Sequence, residues 1–202
     1  MRFLSFFLLV LACTMVAQQV NAQQELSEHD GRVVVAMSMC RTRPCVRKEY
    51  ARVLKPQVVS QVVYYSKLLA LQPKSKPAAC GLLRSIPRSE EENDLSQLGT
   101  SLYPGESDRE IKATDRASWH FSRNLAHALK LCPQYLPQFI QYGTIALSPT
   151  NSYPNWAARV CRSNPKRFLQ AYRTLSAKDQ QYIAKYVIHP ESCKQIAYPE
   201  VP

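Results

Sequence analysis

The residues that could do chemistry are few and scattered. The four histidines are His29, His120, His127 and His189. His120 and His127 stand seven apart in a stretch with helical periodicity, so they share a face but lie about 10.5 Å apart, too far for one metal ion without other ligands. Asp108, Glu110 and Asp115 gather at the start of the same stretch, where the helix dipole favours carboxylates without any catalytic role. Ser118 and His120 are two apart, which on a helix puts them on different faces and makes a poor nucleophile–base pair. G-x-S-x-G, H-E-x-x-H and glycine-rich phosphate loops are all missing from the sequence. The reading is therefore of no catalytic residues, no metal and no cofactor. A small helical secreted hydrolase built on Asp115, His120 and His127 is kept as an alternative.

A basic cluster gives a different signal. Arg162, Lys166, Arg167 and Arg173 surround the stretch "CRSNPKRF" and the helical pattern that follows it. Cations at a helix N-terminus oppose the dipole, and departures from local rules concentrate at functional sites. Charge is also asymmetric along the chain. Residues 23–111 carry 13 Lys and Arg against 11 Asp and Glu, while residues 112–202 carry 12 against 4. A C-terminal half at +8 suggests an acidic partner. An acidic protein surface comes first and anionic envelope material second. Nucleic acid is set aside because no recognised module is present. The same charges would also serve as a merely solvated face.

The N-terminus reads as an export signal. Arg2 precedes the apolar run Phe3–Ala17, which is too short for a bilayer span, and Val20 and Ala22 form a small-x-small cleavage site. The expectation is a signal at 1–22 and a mature chain of 180 residues, periplasmic or extracellular, with no membrane span left. A sequence without N-x-[ST] fits a periplasm. "VLAC" resembles a lipobox, but Cys13 falls inside the apolar core. Six cysteines then remain: Cys40, Cys45, Cys80, Cys132, Cys161 and Cys193. An even number in an exported chain implies disulfides. Stapling helical pairs suggests Cys45–Cys80 and Cys161–Cys193, leaving Cys40–Cys132.

The elements that must carry these residues are helical. Apolar positions from Val46 to Leu69 fall at three- and four-residue spacing, with Pro56 splitting the run and Pro73 beyond its end. Residues 73–114 read as an irregular acidic connection with a short helix from Ser89 to Leu98 and a "YPGE" turn. A helix from Asp115 buries Phe121, Leu125, Leu129 and Cys132, and Pro133 ends it. The next buries Leu136, Phe139, Ile140 and Gly143. "WAARVC" is a short helical piece with Trp156 in a core or hairpin-closing role. Asn164 caps a helix with Pro165 at its first position, and Phe168, Leu169, Tyr172 and Leu175 form its buried face. Ser176 and Asp179 cap the last helix, whose buried face is Tyr182, Ile183, Tyr186 and Val187. "RVVVAM" alone looks strand-like. A faint echo between residues 64–80 and 181–193 hints at a repeat. The expected fold is all-α, one domain of five to six helices arranged as hairpins and stapled by three disulfides. The expected function is an exported, non-catalytic binding protein, acting as an inhibitor, a toxin-neutralising factor or an envelope assembly factor. The second alternative is a structural component of the cell envelope.

Overall fold

A computed structural model describes residues 26–89, 92, 107–145 and 153–196, the side chains of residues 118–120 and 122 excepted. The signal expected at 1–22, the "YPGE" turn and most of the helix expected at 89–98 lie outside the described residues. Of that last helix, Ser89 Oγ accepts from the Glu92 N–H at 3.2 Å.

The described residues are overwhelmingly helical. The helices are α1 (Glu28–Met39), α2 (Arg43–Tyr50), α3 (Val58–Leu71), α4 (Lys76–Arg84) and α5 (Asp108–Leu131). After a 3-10 turn at Pro133–Tyr135 come α6 (Leu136–Tyr142), α7 (Tyr153–Ser163), α8 (Pro165–Arg173) and α9 (Ala177–Tyr186). Strands β1 (Ile188–His189) and β2 (Lys194–Gln195) form a short antiparallel ribbon with Ile188 opposite Gln195. Among the described residues nine α-helices exceed the five or six expected, because proline and short turns divide the chain more finely than hydrophobic periodicity reveals. Pro56 falls between α2 and α3, as its ring requires.

Three expectations are corrected. "RVVVAM" is helical, inside α1. Val33, Val34, Val35 and Met37 are each at most 1% exposed, with α2, α3 and α5 packed around the helix. Only a narrow strip of α1 stays exposed, at Glu28, His29, Arg32 and Met39, so most of its positions are apolar and the middle of the helix reads as a β-branched run. The supposed irregular connection at 73–114 contains all of α4, whose N-cap Ser75 accepts from the Ala78 N–H. Further along, α5 starts at Asp108 rather than Asp115, because Ser107 and Glu110 form a reciprocal capping box.

The disulfides are Cys40–Cys45, Cys80–Cys132 and Cys161–Cys193. Only the last matches the expected pairing. Cys40 closes α1 and Cys45 lies in the first turn of α2, so the tight link between them brings the two Cα atoms to 5.6 Å. Cys80 on α4 is thereby left for Cys132 at the end of α5, at a Cα separation of 5.5 Å.

Helix α5 is the axis of the assembly. It contacts α1, α3 and α4 on one side and α7 on the other, while α6, α8, α9 and the ribbon close around α7 and one another. The buried apolar residues form one contiguous cluster from Val34 to Cys193. Specific polar ties join the helices. Asn124 Nδ2 donates to Ser66 O at 3.0 Å and to its hydroxyl at 3.1 Å, locking α5 to α3. Tyr153 Oη donates to Phe139 O at 2.7 Å, fixing the start of α7 on α6. Burial, and then the neighbouring Tyr142, push the Tyr153 phenol well up. Asp30 is 2% exposed, and its carboxylate accepts the N–H groups of Leu54 and Lys55 at 2.9 and 3.3 Å, anchoring the α2–α3 connection.

The two segments of the faint echo fold differently. The first runs through α3 into helix α4, the second through α9 into the ribbon, so they are not copies of one structural unit.

Candidate binding groove

Between α5, α7 and the start of α8 runs a cleft of about 920 Å³. Its α5 wall carries Arg123, His127 and Lys130, at spacings of four and three residues, which is one helical face. The opposite face of α5 buries Phe121, Leu125 and Cys132. Core packing therefore aims the cationic face outward with no choice of rotation. The α7 wall carries Trp156, Arg159, Val160 and Ser163 on a single face in the same way, because Tyr153, Ala157, Ala158 and Cys161 are buried behind it. Arg167 reaches the groove from the first turn of α8.

The electrostatics are one-signed. Among the described residues the lining holds four Lys and Arg side chains and one histidine, with no Asp or Glu. The Arg159 guanidinium lies 5.2 Å from the centre of the Trp156 ring, a cation–π contact that holds the indole at the wall. His127 donates from Nε2 to the Pro73 carbonyl at 2.6 Å, which fixes the ring against the α3–α4 turn. Between the cations lies an apolar floor where Ala126, Pro133 and Val160 meet the buried Leu129 and Leu136. Such a surface can bind anions and cover a small apolar group.

Of the four cations singled out by sequence, only Arg167 lines the groove. Arg162 and Lys166 are exposed beside it, in the last turn of α7 and the first of α8. Arg173 is exposed at the far end of α8, six residues or about 9 Å from Arg167. The dipole argument also changes. Arg162 and Arg173 occupy last turns, where a cation is favoured, so only Lys166 and Arg167 oppose the dipole. Even there, Asn164 Oδ1 accepts the Arg167 N–H at 3.1 Å and caps α8 normally.

Sequence reading missed Arg123, Lys130, Arg159 and Trp156. The signal was present as cations at helical spacing on two stretches, but nothing local says that the two faces meet. His127 was weighed as half of a histidine pair and proves to be a groove residue. Tyr182 and Tyr186, expected in the core, are half-buried and exposed, respectively, and their rings meet as a tilted pair with centroids 4.9 Å apart. The hydrolase residues are not assembled. Asp115 and His127 are twelve residues apart on α5, about 18 Å along the axis, and the side chain of His120 lies outside the described part. Among the described residues no group of three His, Cys, Asp or Glu could hold a metal ion, and no helix is long and apolar enough to cross a membrane. No protein-family model, curated protein or solved structure matches the chain.

Proposed function

We propose that this is an exported, non-catalytic binding protein, folded as one helical domain, that docks an acidic protein partner on its basic C-terminal half. The observation that carries the reading is the groove between α5, α7 and α8, whose described lining has cations on every wall and no carboxylate. Charges gathered in a cleft with low-dielectric walls focus their field and raise the local concentration of an anionic partner. Arginine suits the task because its planar fork takes a carboxylate in a bidentate pair. Three intramolecular disulfides support an oxidising compartment. The groove replaces the patch of Arg162, Lys166, Arg167 and Arg173 as the centre of the docking face, with those exposed residues adding to the surrounding field.

Affinity capture tests this. The disulfide-bonded protein is immobilised and challenged with the producing cell's envelope and medium at low and high salt, beside an Arg159→Glu/Arg167→Glu variant. Both side chains are exposed, so the variant keeps its fold. The expected result is an acidic protein held by the parent at low salt, released near 1 M salt where screening falls to about 3 Å, and not held by the variant. Retention of the same proteins by parent and variant refutes the docking reading.

A further inference from the structure

We infer that the groove takes a short linear acidic segment of its partner, one that inserts an apolar side chain between its carboxylates. This rests on the docking reading above and specifies what that docking consists of.

The spacing of the cations comes first. Arg123 and Lys130 are seven residues apart on one α5 face, about 10.5 Å. An extended peptide advances about 3.3 Å per residue, so carboxylates two to four residues apart reach both while the chain lies along the groove. Arg159 and Arg167 face them from α7 and α8, so both edges of such a segment meet cations. A flat protein surface would meet the exposed cations but not the buried Leu129 and Leu136 beneath them.

The floor is the second observation. Ala126, Pro133 and Val160 are each half-buried and lie among the cations. A pure polyanion would cover these atoms without gaining from them. An apolar side chain set between two acidic ones gains their burial and also removes water from around the ion pairs.

Shape and composition disfavour the other anions. Single-stranded nucleic acid binds by stacking successive bases on several aromatic rings. Among the described lining residues Trp156 is the one aromatic, and Arg159 already lies against its face. A bilayer surface is flat and cannot enter a cleft between helices, and membrane-docking helices present cations beside a broad exposed apolar face. Here the apolar atoms are recessed.

Fluorescence anisotropy with the disulfide-bonded protein at 50 mM salt decides the matter. The probes are a labelled Glu-Leu-Glu-Gly-Glu-Leu peptide, its equal-charge control Glu-Gly-Glu-Gly-Glu-Gly, a ten-residue oligothymidylate and vesicles containing phosphatidylglycerol. The leucine peptide should bind about tenfold tighter than the glycine control, the worth of burying one such side chain. Lys130→Glu/Arg159→Glu should weaken it tenfold or more. Val160→Thr, which keeps shape while exchanging a methyl for a hydroxyl, should weaken the leucine peptide more than the control. Equal binding of the two peptides, or tighter binding of the oligothymidylate or the vesicles, overturns the inference. If no peptide binds while capture still depends on Arg159 and Arg167, the inserted segment is wrong and docking stands. If capture has lost that dependence too, both fall.

Discussion

Removing the three disulfides one at a time should separate them into two classes. In the chain-entropy description a cross-link stabilises by restricting the unfolded chain, in proportion to the logarithm of the loop it closes. The separations are 52 residues for Cys80–Cys132, 32 for Cys161–Cys193 and 5 for Cys40–Cys45. These give about 4.1, about 3.7 and about 2.1 kcal/mol at 25 °C. The two long loops differ by only about 0.4 kcal/mol. That gap is small enough for packing to reverse, since both Cys161 and Cys193 are buried while Cys80 is only half-buried. The gap to Cys40–Cys45 is about 1.6 to 2 kcal/mol, or about 3 to 8 °C of Tm for a chain of this size.

Paired Cys→Ala variants, melted by circular dichroism under non-reducing conditions, measure this directly. Cys40→Ala/Cys45→Ala should melt highest of the three. The groove adds a second readout below the melting transition. Cys80–Cys132 clamps the end of α5, whose last turns carry His127 and Lys130, and Cys161–Cys193 holds the last turn of α7. Loss of either should weaken anion binding, whereas Cys40 and Cys45 join α1 to α2, neither of which lines the groove. If the five-residue bridge proved the costliest to remove, or its loss alone abolished binding, the reasoning would be refuted.

Other perturbations have equally definite outcomes. Asp30→Ala removes the acceptor of the Leu54 and Lys55 N–H groups. It should cost about 2 to 4 kcal/mol in urea unfolding, the scale of two hydrogen bonds to a charge with one end near solvent. Gly81→Ala should cost about 1 to 3 kcal/mol by overpacking, because a Cβ at Gly81 would fall 2.3 Å from the Tyr65 ring. That ring is itself in edge contact with Tyr64. Stability should also fall in alkali. Burial raises the phenols of Tyr142 and Tyr153 above their ordinary value of 10.0. The folded state then keeps protons that the unfolded state loses above about pH 10, and each tyrosine removes about 1.4 kcal/mol per further pH unit. Burial lowers the Lys67 ammonium, which gives an opposite and smaller trend below 10.5. Melts at pH 9, 10 and 11 should show a plateau and then a decline, and Tyr142→Phe should flatten the decline.

Much of the local structure was legible in the residues. Asn164 before Pro165 and Ser176 before Asp179 mark helix starts because their side chains satisfy amide groups that no helix can satisfy itself. Pro133 marks the end of α5 for the complementary reason, and Phe121, Leu125, Leu129 and Cys132 keep helical register on a face that is buried. An even set of cysteines announced disulfides before any pairing was known. Each of these signals acts over one to four residues, so one stretch of chain is enough to read it.

The rest depended on which helices meet. "RVVVAM" carries strand propensity, and packing on three sides made it helix α1. Cys80 found Cys132 rather than Cys45 because α4 lies along α5, 52 residues away in sequence. Arg123, Lys130 and Arg159 are ordinary exposed cations on their own helices. They became a groove only when the core faces of α5 and α7 were buried, which turned both cationic faces toward the same cleft. Capping and periodicity are short-range and written in neighbouring residues, whereas hydrophobic burial is non-directional. The composition of each face could say that it would be buried or exposed, but only the packed core could say what it would face.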